Sequence, residues 1–556
     1  EEDRRIEDRM VGKMNLDEMK KSLDNARRNN EQSSSQCDTL LSSILSKSSL
    51  SSSIMNHLNF NLPSIEYDSS SIISTLPIDL YHSPYSHFIK YSLFIPIKNL
   101  PVDYQQYLSL FSSLLFHTNI SYQNQYIPKF NFCEMFSNDI IESSVTLGIS
   151  SSSPIQSGFI GGHYIDTLTI ILQTSYDTYL KSIEYLKYSL FGMIFDDYNI
   201  IIEECEKQLK YLIEQLQDGE LIQQQYFNCL RLKQSKSSYY HQLNIFNQKL
   251  FFETLLKNPE KYKKDILHNL EQIRLFIVKN LTQSHLTICG DSDKIKPNMK
   301  ILEEFYNESK HVSLSSLLLD NSSQDNKNDD NGQKYVHSTI IGVAHEESAY
   351  ILRWSNCSID KNDLIPLLIF TTYMNLENGP LWTACRTSGH AYGVSYDFDL
   401  TSNTVLLAIE QCSEVTLAYD SAMKIIDRLI NRQIPLDDKR FLASKNSTLC
   451  SLIEHINTLG KATNVCLKSY LNDFNLDMYQ HILDELKLFK YNETLIYSII
   501  DKYLEPLVNN NKSSTLILVN TTKMKNTNTF LTNNYLHQDI TMIKDIMKYF
   551  MAEKRR

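Results

Sequence analysis

One order of elements is written twice along this chain of 556 residues. In each copy a β-branched run reads as a strand, an amphipathic stretch as a helix, and an Asp-Asp pair opens a long helical segment. Residues 167–173, 176–195 and Asp196-Asp197 make the first copy. Residues 404–410, 414–432 and Asp437-Asp438 make the second. Aspartate at a helix start is informative, because its carboxylate accepts a hydrogen bond from a first-turn N–H and favours the positive end of the helix dipole. Each copy then closes on a strand of Ser-x-Leu-x-Ile/Leu type, Ser284 to Ile288 in one and Ser514 to Leu518 in the other. A plan repeated at this spacing restricts the chain to two similar units. The length, too great for a single ordinary core, agrees with that.

Boundaries follow from composition. Residues 1–57 comprise a charged helical pattern to about residue 32 and a Ser-rich segment from Ser33 to Ser53. A first α/β unit spans 58–319. Residues 320–334, DNSSQDNKNDDNGQK, contain no large apolar side chain and cannot bury a core, so they read as a linker. The second α/β unit spans 335–556. Strands are expected at 88–97, 338–343, 349–354, 391–399 and 514–519, with a hairpin joining 391–399 to 404–410. Helices are expected at 102–116, 260–281, 361–375 and 492–508.

The net charge of −11 argues against nucleic acid as the main ligand. No apolar run is long enough to span a membrane, and no signal peptide opens the chain. It begins Glu1-Glu-Asp-Arg-Arg5 without methionine, as a piece of a longer protein would. The ten cysteines form no CxxC pair and read as reduced, buried thiols. Metal motifs are missing: there is neither HExxH nor HxxEH. His345-Glu346-Glu347 lacks a second histidine, and Glu454-His455 is preceded by Ser451 where the inverted motif needs one. Isolated His163, His285 and His390 read as surface or satisfied core residues. There is no GxSxG and no phosphate loop, and Gly161-Gly162 is too short to count.

One run concentrates functional residue types: Asn378 to Gly393, NGPLWTACRTSGHAYG. Gly379-Pro380 opens a short helix over 381–387, since proline is pre-organised at the first helical position. Ser388-Gly389 ends it, glycine tolerating the left-handed conformation found after helices. A strand follows from 391. Arg386 and Tyr392 therefore flank a tight helix-to-strand junction where both can reach one point. Their structural alternative is a helix-capping arginine and a tyrosine packed in the sheet. Cys385 beside Arg386 would be a nucleophile only if the guanidinium lowered its pKa.

The residues Tyr373-Met-Asn375, Gly379-Pro-Leu-Trp382, Arg386 and Gly389-x-Ala-Tyr-Gly393 resemble the second half of the pitrilysin/insulinase (inverzincin) metallopeptidases. The nearest branch is that of the presequence proteases and their cytosolic relatives. Residues 81–100 and 102–116 look like that family's third domain, and residues 1–32 like the connector between its halves. The resemblance implies two related α/β (α+β) domains, each a mainly antiparallel sheet covered by helices, as in the second half of a clamshell. It implies a zinc endopeptidase whose HxxEH site lies in an N-terminal half outside this chain. Arg386 and Tyr392 would contact the substrate and its oxyanion without binding metal, with Gly389 and Trp382 also substrate-binding. The expected partners are that zinc-bearing half and peptides, with no nucleic acid or membrane. The expected location is cytoplasmic, with mitochondrial as the alternative. This chain alone is expected to be inactive and to hold no cofactor. A non-catalytic peptide- or partner-binding subunit of the same fold is the alternative function.

Overall fold

Two six-stranded sheets carry the repeat. The computed structural model describes residues 64–65, 78–82, 86–148, 164–231, 239–311, 338–400, 403–454, 458, 460–461, 463–465, 476–535 and 540–555. The expected connector (1–32), the Ser-rich segment, the 320–334 linker, Gly161-Gly162 and His163 lie outside the described residues.

The strands of the first part are β1 (Ser64–Ile65), β2 (Ile78–His82), β3 (Phe88–Pro96), β4 (Asn119–Tyr122), β5 (Gln125–Ile127), β6 (Ile140–Leu147), β7 (Thr167–Ser175), β8 (Met193–Ile194) and β9 (His285–Gly290). Those of the second are β10 (Ser338–Gly342), β11 (Ala349–Asn356), β12 (Ala391–Asp399), β13 (Thr404–Cys412), β14 (Ser513–Val519) and β15 (Thr541–Ile543). The large sheets run β6-β7-β3-β9-β2-β1 and β12-β13-β11-β14-β10-β15; β5, β4 and β8 form a small third sheet. The repeat is visible in direction as well as order. An edge hairpin, β6 with β7 or β12 with β13, is antiparallel. The next two pairings are antiparallel in both sheets. The one after, β9 with β2 or β14 with β10, is parallel in both. Only the last strand differs: β1 lies antiparallel to β2, whereas β15 lies parallel to β10. The fold is thus α/β with two related, mainly antiparallel sheets, each packed with helices.

The Asp-Asp pairs act as read. Asp197 caps the helix Tyr198–Gln215, accepting from the N–H of Asn199 at 3.0 Å. Asp437 accepts from Lys439 and Arg440 at 2.9 and 3.1 Å, opening the helix Asp438–Glu454. Three helices depart from expectation. The 102–116 segment is two short helices, Val102–Gln105 and Leu108–Leu114, broken where Tyr107 is buried edge-on against Phe251. The 492–508 segment contains a π-helical turn, Ile500–Leu504, between α-helical pieces. Pro506 lies just beyond it and cannot donate to the turn before, so the widened turn absorbs the mismatch. The 381–387 helix likewise becomes a π-turn, Trp382–Arg386.

The two sheets share one core. Leu352, Trp354, Leu406, Ala408, Leu516 and Leu518 point from the second sheet into the same buried cluster as Leu93, Ile170 and Ile288 of the first. The helix Gly219–Arg231 mediates this: Phe227 packs edge-on against Trp354, and Gln223 donates to the Leu516 carbonyl at 3.2 Å. The final helix, Ile546–Arg555, stacks Phe550 on Phe246 of the first part, centroids 4.6 Å apart. Parity fixes the faces of β12. Tyr396 and Phe398 are buried towards the helix Leu364–Asn375, Tyr396 lying edge-on to Phe370, so Gly393, Ser395 and Asp397 turn to the opposite face.

Candidate functional site

The site residues are set by a backbone that glycine and proline dictate. After the helix Leu364–Asn375 the chain turns through Asn378, at φ 61°, into Gly379. A Cβ on Gly379 would lie 2.7–3.1 Å from the carbonyl oxygens of Leu376, Tyr373 and Met374, so only glycine fits there. Pro380 starts the helical turn, and Thr387 donates back five residues to Trp382 at 3.0 Å, the mark of a π-turn. Four residues apart on this turn, Trp382 and Arg386 lie on one side of the junction. Gly389, at φ +76°, reverses the chain into β12. A Cβ there would touch nothing, so its part is conformational.

Arg386 and Tyr392 do meet, and Trp382 joins them. The Arg386 guanidinium lies 4.2 Å from the centre of the Trp382 ring and 4.3 Å from that of Tyr392. Its Nη1 donates to the Tyr392 carbonyl at 2.8 Å. Both rings present their electron-rich faces to the cation, and the planar guanidinium suits stacking as an ammonium would not. Tyr392 remains 63% exposed.

The edge of β12 is tied down at a second point that the sequence did not disclose. The side-chain amide of Asn375 accepts from the Tyr396 N–H at 2.7 Å and donates to the Tyr396 carbonyl at 2.9 Å, as a neighbouring strand would. On the opposite face, Glu410 pairs in register with Gly393, and a Cβ on Gly393 would come within 2.9 Å of the Glu410 carboxylate. Burial, and then the charges of Glu220 and Asp397, push the Glu410 carboxyl above its usual range. Burial, then Asp218, does the same to Glu220. Tyr350 is raised to about 12, first by burial and then by Glu346, Asp218, Glu220 and Glu410. Part of this acidity is structural. Asp218 accepts from Leu221 at 3.1 Å and caps the helix Gly219–Arg231, whose positive end also favours Glu346. Glu220 stands in the first turn of that helix and is favoured by the same end; Glu410 and Asp397 are not explained that way.

Cys385 is not a nucleophile. It is buried, burial pushes its thiol up to about 12, and its sulfur faces the Ala418 carbonyl at 3.7 Å. The neighbouring guanidinium turns to the rings instead. Of the described cysteines, Cys205, Cys289, Cys385 and Cys412 are buried and Cys450 is exposed, so the expectation of buried thiols holds in part. His285 is paired with Asp79 at 3.0 Å, and His390 Nδ1 lies 3.0 Å from both Ser388 and Ser421. Among the described residues no three of His, Cys, Asp and Glu are gathered so as to hold a metal ion. The residues described therefore do not fit a zinc site. No described helix is long and apolar enough to cross a membrane.

No protein-family model matches the chain. Curated relatives include an uncharacterized protein of Caenorhabditis elegans, 23% identical over 452 residues, and one of Saccharomyces cerevisiae, 20% identical over 429. These alignments take in 76% and 73% of this chain but only 41% and 39% of the relatives, so the chain spans about two fifths of their length. Among solved structures, a conserved protein of Enterococcus faecalis V583 matches with a TM-score of 0.54 at 11% identity, over 80% of this chain and 96% of that one. The periplasmic protease PqqL of Escherichia coli matches at 0.53 and 12% identity, over 80% of this chain and 44% of its own. A protease of Helicobacter pylori matches at 0.52 and 8% identity, with 97% of its chain covered. At such identities the likeness concerns the fold, which is a peptidase-like one.

Proposed function

We propose that this chain is the substrate-holding half of a zinc metalloendopeptidase of the insulinase type, which degrades peptides in a closed chamber. The carrying observation is the Trp382–Arg386–Tyr392 stack on an edge strand of a peptidase-like fold. The shares of chain covered also support a half. The two-sheet unit fills nearly all of two of the matched structures and less than half of PqqL. Zinc would be held by a part outside the described residues, and none of the residues here is given a step on the metal.

What these residues would do is hold the peptide. A guanidinium carries its charge at any working pH and can donate to a peptide carbonyl or carboxylate. The exposed Tyr392 phenol can donate to oxygen as charge develops on it. Losing one such donor costs about 2.7–4 kcal/mol of transition-state stabilisation. A cytoplasmic location belongs to the same reading, as does the zinc-bearing half as partner.

The test is reconstitution. The chain alone should carry no stoichiometric zinc by metal analysis and should cleave no peptide. Joined to its zinc-bearing half it should gain activity, and Arg386→Ala and Tyr392→Phe should each lower kcat/KM at least a hundredfold, with the melting temperature nearly unchanged for Tyr392→Phe and lower by a few degrees for Arg386→Ala, which gives up its strand bond and ring contacts. One tightly held zinc per isolated chain, or unchanged turnover in both variants, would overturn the reading. A subunit that only binds peptides would give binding without cleavage in every combination.

A further inference from the structure

Each sheet is crossed on one face by the other unit's chain. Gly219, which opens the helix Gly219–Arg231, lies against Tyr350 of β11: a Cβ there would come within 3.0 Å of that ring. Gly460 follows Asp438 at the spacing by which Gly219 follows Asp197, and a Cβ on it would lie 3.3 Å from the Lys90 Nζ on β3. Strand pairing makes Lys90 and Tyr350 equivalent, since Lys90 stands opposite Cys289 as Tyr350 stands opposite Leu518. The segment that follows each unit's long helix thus reaches the same place on the other unit's sheet.

What the two segments meet there is different. On the second sheet the crossed face carries Leu352, Leu406 and Leu516, all buried. Their equivalents on the first sheet are Ser92, Thr169 and Thr287. Ser92 stands opposite Thr287 as Leu352 stands opposite Leu516, and Thr169 stands opposite Phe94 as Leu406 stands opposite Trp354. All three are 0% exposed, yet none of their hydroxyls has a hydrogen-bond partner among the described residues. The crossing segment is polar here too: Thr463 is buried and Asn464 partly so. A hydroxyl enclosed without a partner is unfavourable. Each of the three is also smaller than the leucine in its place, which leaves room beside it. The charges at the rim are already matched, Lys90 with Glu142 at 2.9 Å and His285 with Asp79 at 3.0 Å. A charged ligand would find no counter-charge, so the patch suits a small neutral molecule that both donates and accepts.

We infer that Ser92, Thr169 and Thr287 bind a shared layer of enclosed water between the first sheet and the segment that begins at Gly460. A buried water makes about three hydrogen bonds to polar groups that otherwise lack partners, which is what these hydroxyls require. The two crossings then differ in kind. The one over the second sheet is dry, with Phe227 packed on Trp354; the one over the first is wet.

A crystal structure of the full chain at a resolution that shows water is the direct test. Ordered water within hydrogen-bonding distance of Ser92 Oγ and Thr287 Oγ1 is expected. Hydroxyls packed against carbon alone, or a bound solute in place of water, would overturn the assignment. Urea unfolding tests it in solution. Thr287→Val keeps the side chain's shape and removes its hydroxyl. Where that hydroxyl holds water, the folding equilibrium constant should fall about fivefold or more. Ser92→Ala should lower it similarly, and the double variant should lose less than the two losses combined, because one layer serves both hydroxyls. A Thr287→Val chain at least as stable as the parent would mean a dry hydroxyl and end the proposal; strictly additive losses would overturn the shared layer. The crystal arm needs no variant, so a misfolded one leaves the test intact.

Discussion

Arg386 grips Tyr392 twice, through a 2.8 Å hydrogen bond to its carbonyl and through a ring face 4.3 Å away. The same guanidinium also lies over Trp382. The bond to the Tyr392 carbonyl is to backbone and survives any change at position 392 except one that moves the strand. The Tyr392 ring contact does not. An arginine held by two rings and a strand carbonyl is positioned before any ligand arrives, which lowers the entropy lost on binding.

Replacing Trp382 by Leu should therefore remove one ring contact of Arg386 without breaking its bond to the strand. The expected cost is about 0.5–1 kcal/mol of stability, the worth of an exposed cation–π contact. Trp382→Phe should recover most of it. Urea unfolding of the three proteins checks this; a Phe variant no better than Leu would mean that the ring contributes packing alone.

Glu410 should make stability depend on pH in the direction opposite to a salt-bridged acid. Its carboxyl ionises near 4.5 when unfolded and at a higher pH in the fold, where burial and then Glu220 and Asp397 hold it up. Between those two values the folded chain binds more protons, so stability falls as pH rises. Glu410→Gln removes the titration. The variant should match the parent below pH 4.5 and exceed it at pH 7, measured as the melting temperature across that range. A parent that loses stability relative to the variant on acidification would reverse the sign and refute the assignment.

Local chemistry was legible in the sequence; tertiary chemistry was not. The strand 391–399 was readable to the residue, because alternation and the preceding Ser388-Gly389 break are local signals. Asp197 and Asp437 were readable as caps for the same reason. The junction at Arg386 could be placed, yet its π-turn could not, since widening depends on what the turn packs against. Asn375 gave no sign that it would act as a strand partner to Tyr396, twenty-one residues on. Glu410 and Glu220 are far apart in the chain, and only the packing of the helix Gly219–Arg231 on the second sheet brings them together. The short edge strands β1 and β15 gave no sequence signal either: too few residues alternate.

Arg353 should be among the costliest residues to replace. It is 0% exposed, on β11, and donates to five neutral oxygens: the carbonyls of Leu507 and Val508, the Tyr419 hydroxyl, Thr515 Oγ1 and Asn510 Oδ1. Leu507 and Val508 end the helix Glu505–Val508, whose last carbonyls need outside donors. Arg353→Leu would leave several of these oxygens buried and unsatisfied at about 1–3 kcal/mol each. A total loss of at least about 3 kcal/mol is expected, the sum for two or more oxygens left unpaired. Arg353→Lys should recover little, since one ammonium cannot reach so spread a set of acceptors. Chemical denaturation is the readout, and a loss below about 1 kcal/mol, the size of one ordinary hydrogen bond, would show the network to be dispensable.

Thiol chemistry offers the sharpest check on the excluded nucleophile. Cys385 stands next to Arg386 in sequence, yet burial holds its thiol up to about 12 and its sulfur faces inward to the Ala418 carbonyl. Cys412, packed nearby, is raised to about 12 in the same way, burial first and Cys385 next. Thiolate is the reactive form, so at pH 8 both should be nearly inert to iodoacetamide. Cys450, exposed on the helix Asp438–Glu454, should be labelled first among the described cysteines. Peptide mass mapping over a time course gives the order directly. Mild urea that loosens the second sheet should bring Cys385 and Cys412 into reaction together, because one buried layer protects both. Rapid labelling of Cys385 in the native chain would contradict its burial and restore it as a candidate nucleophile.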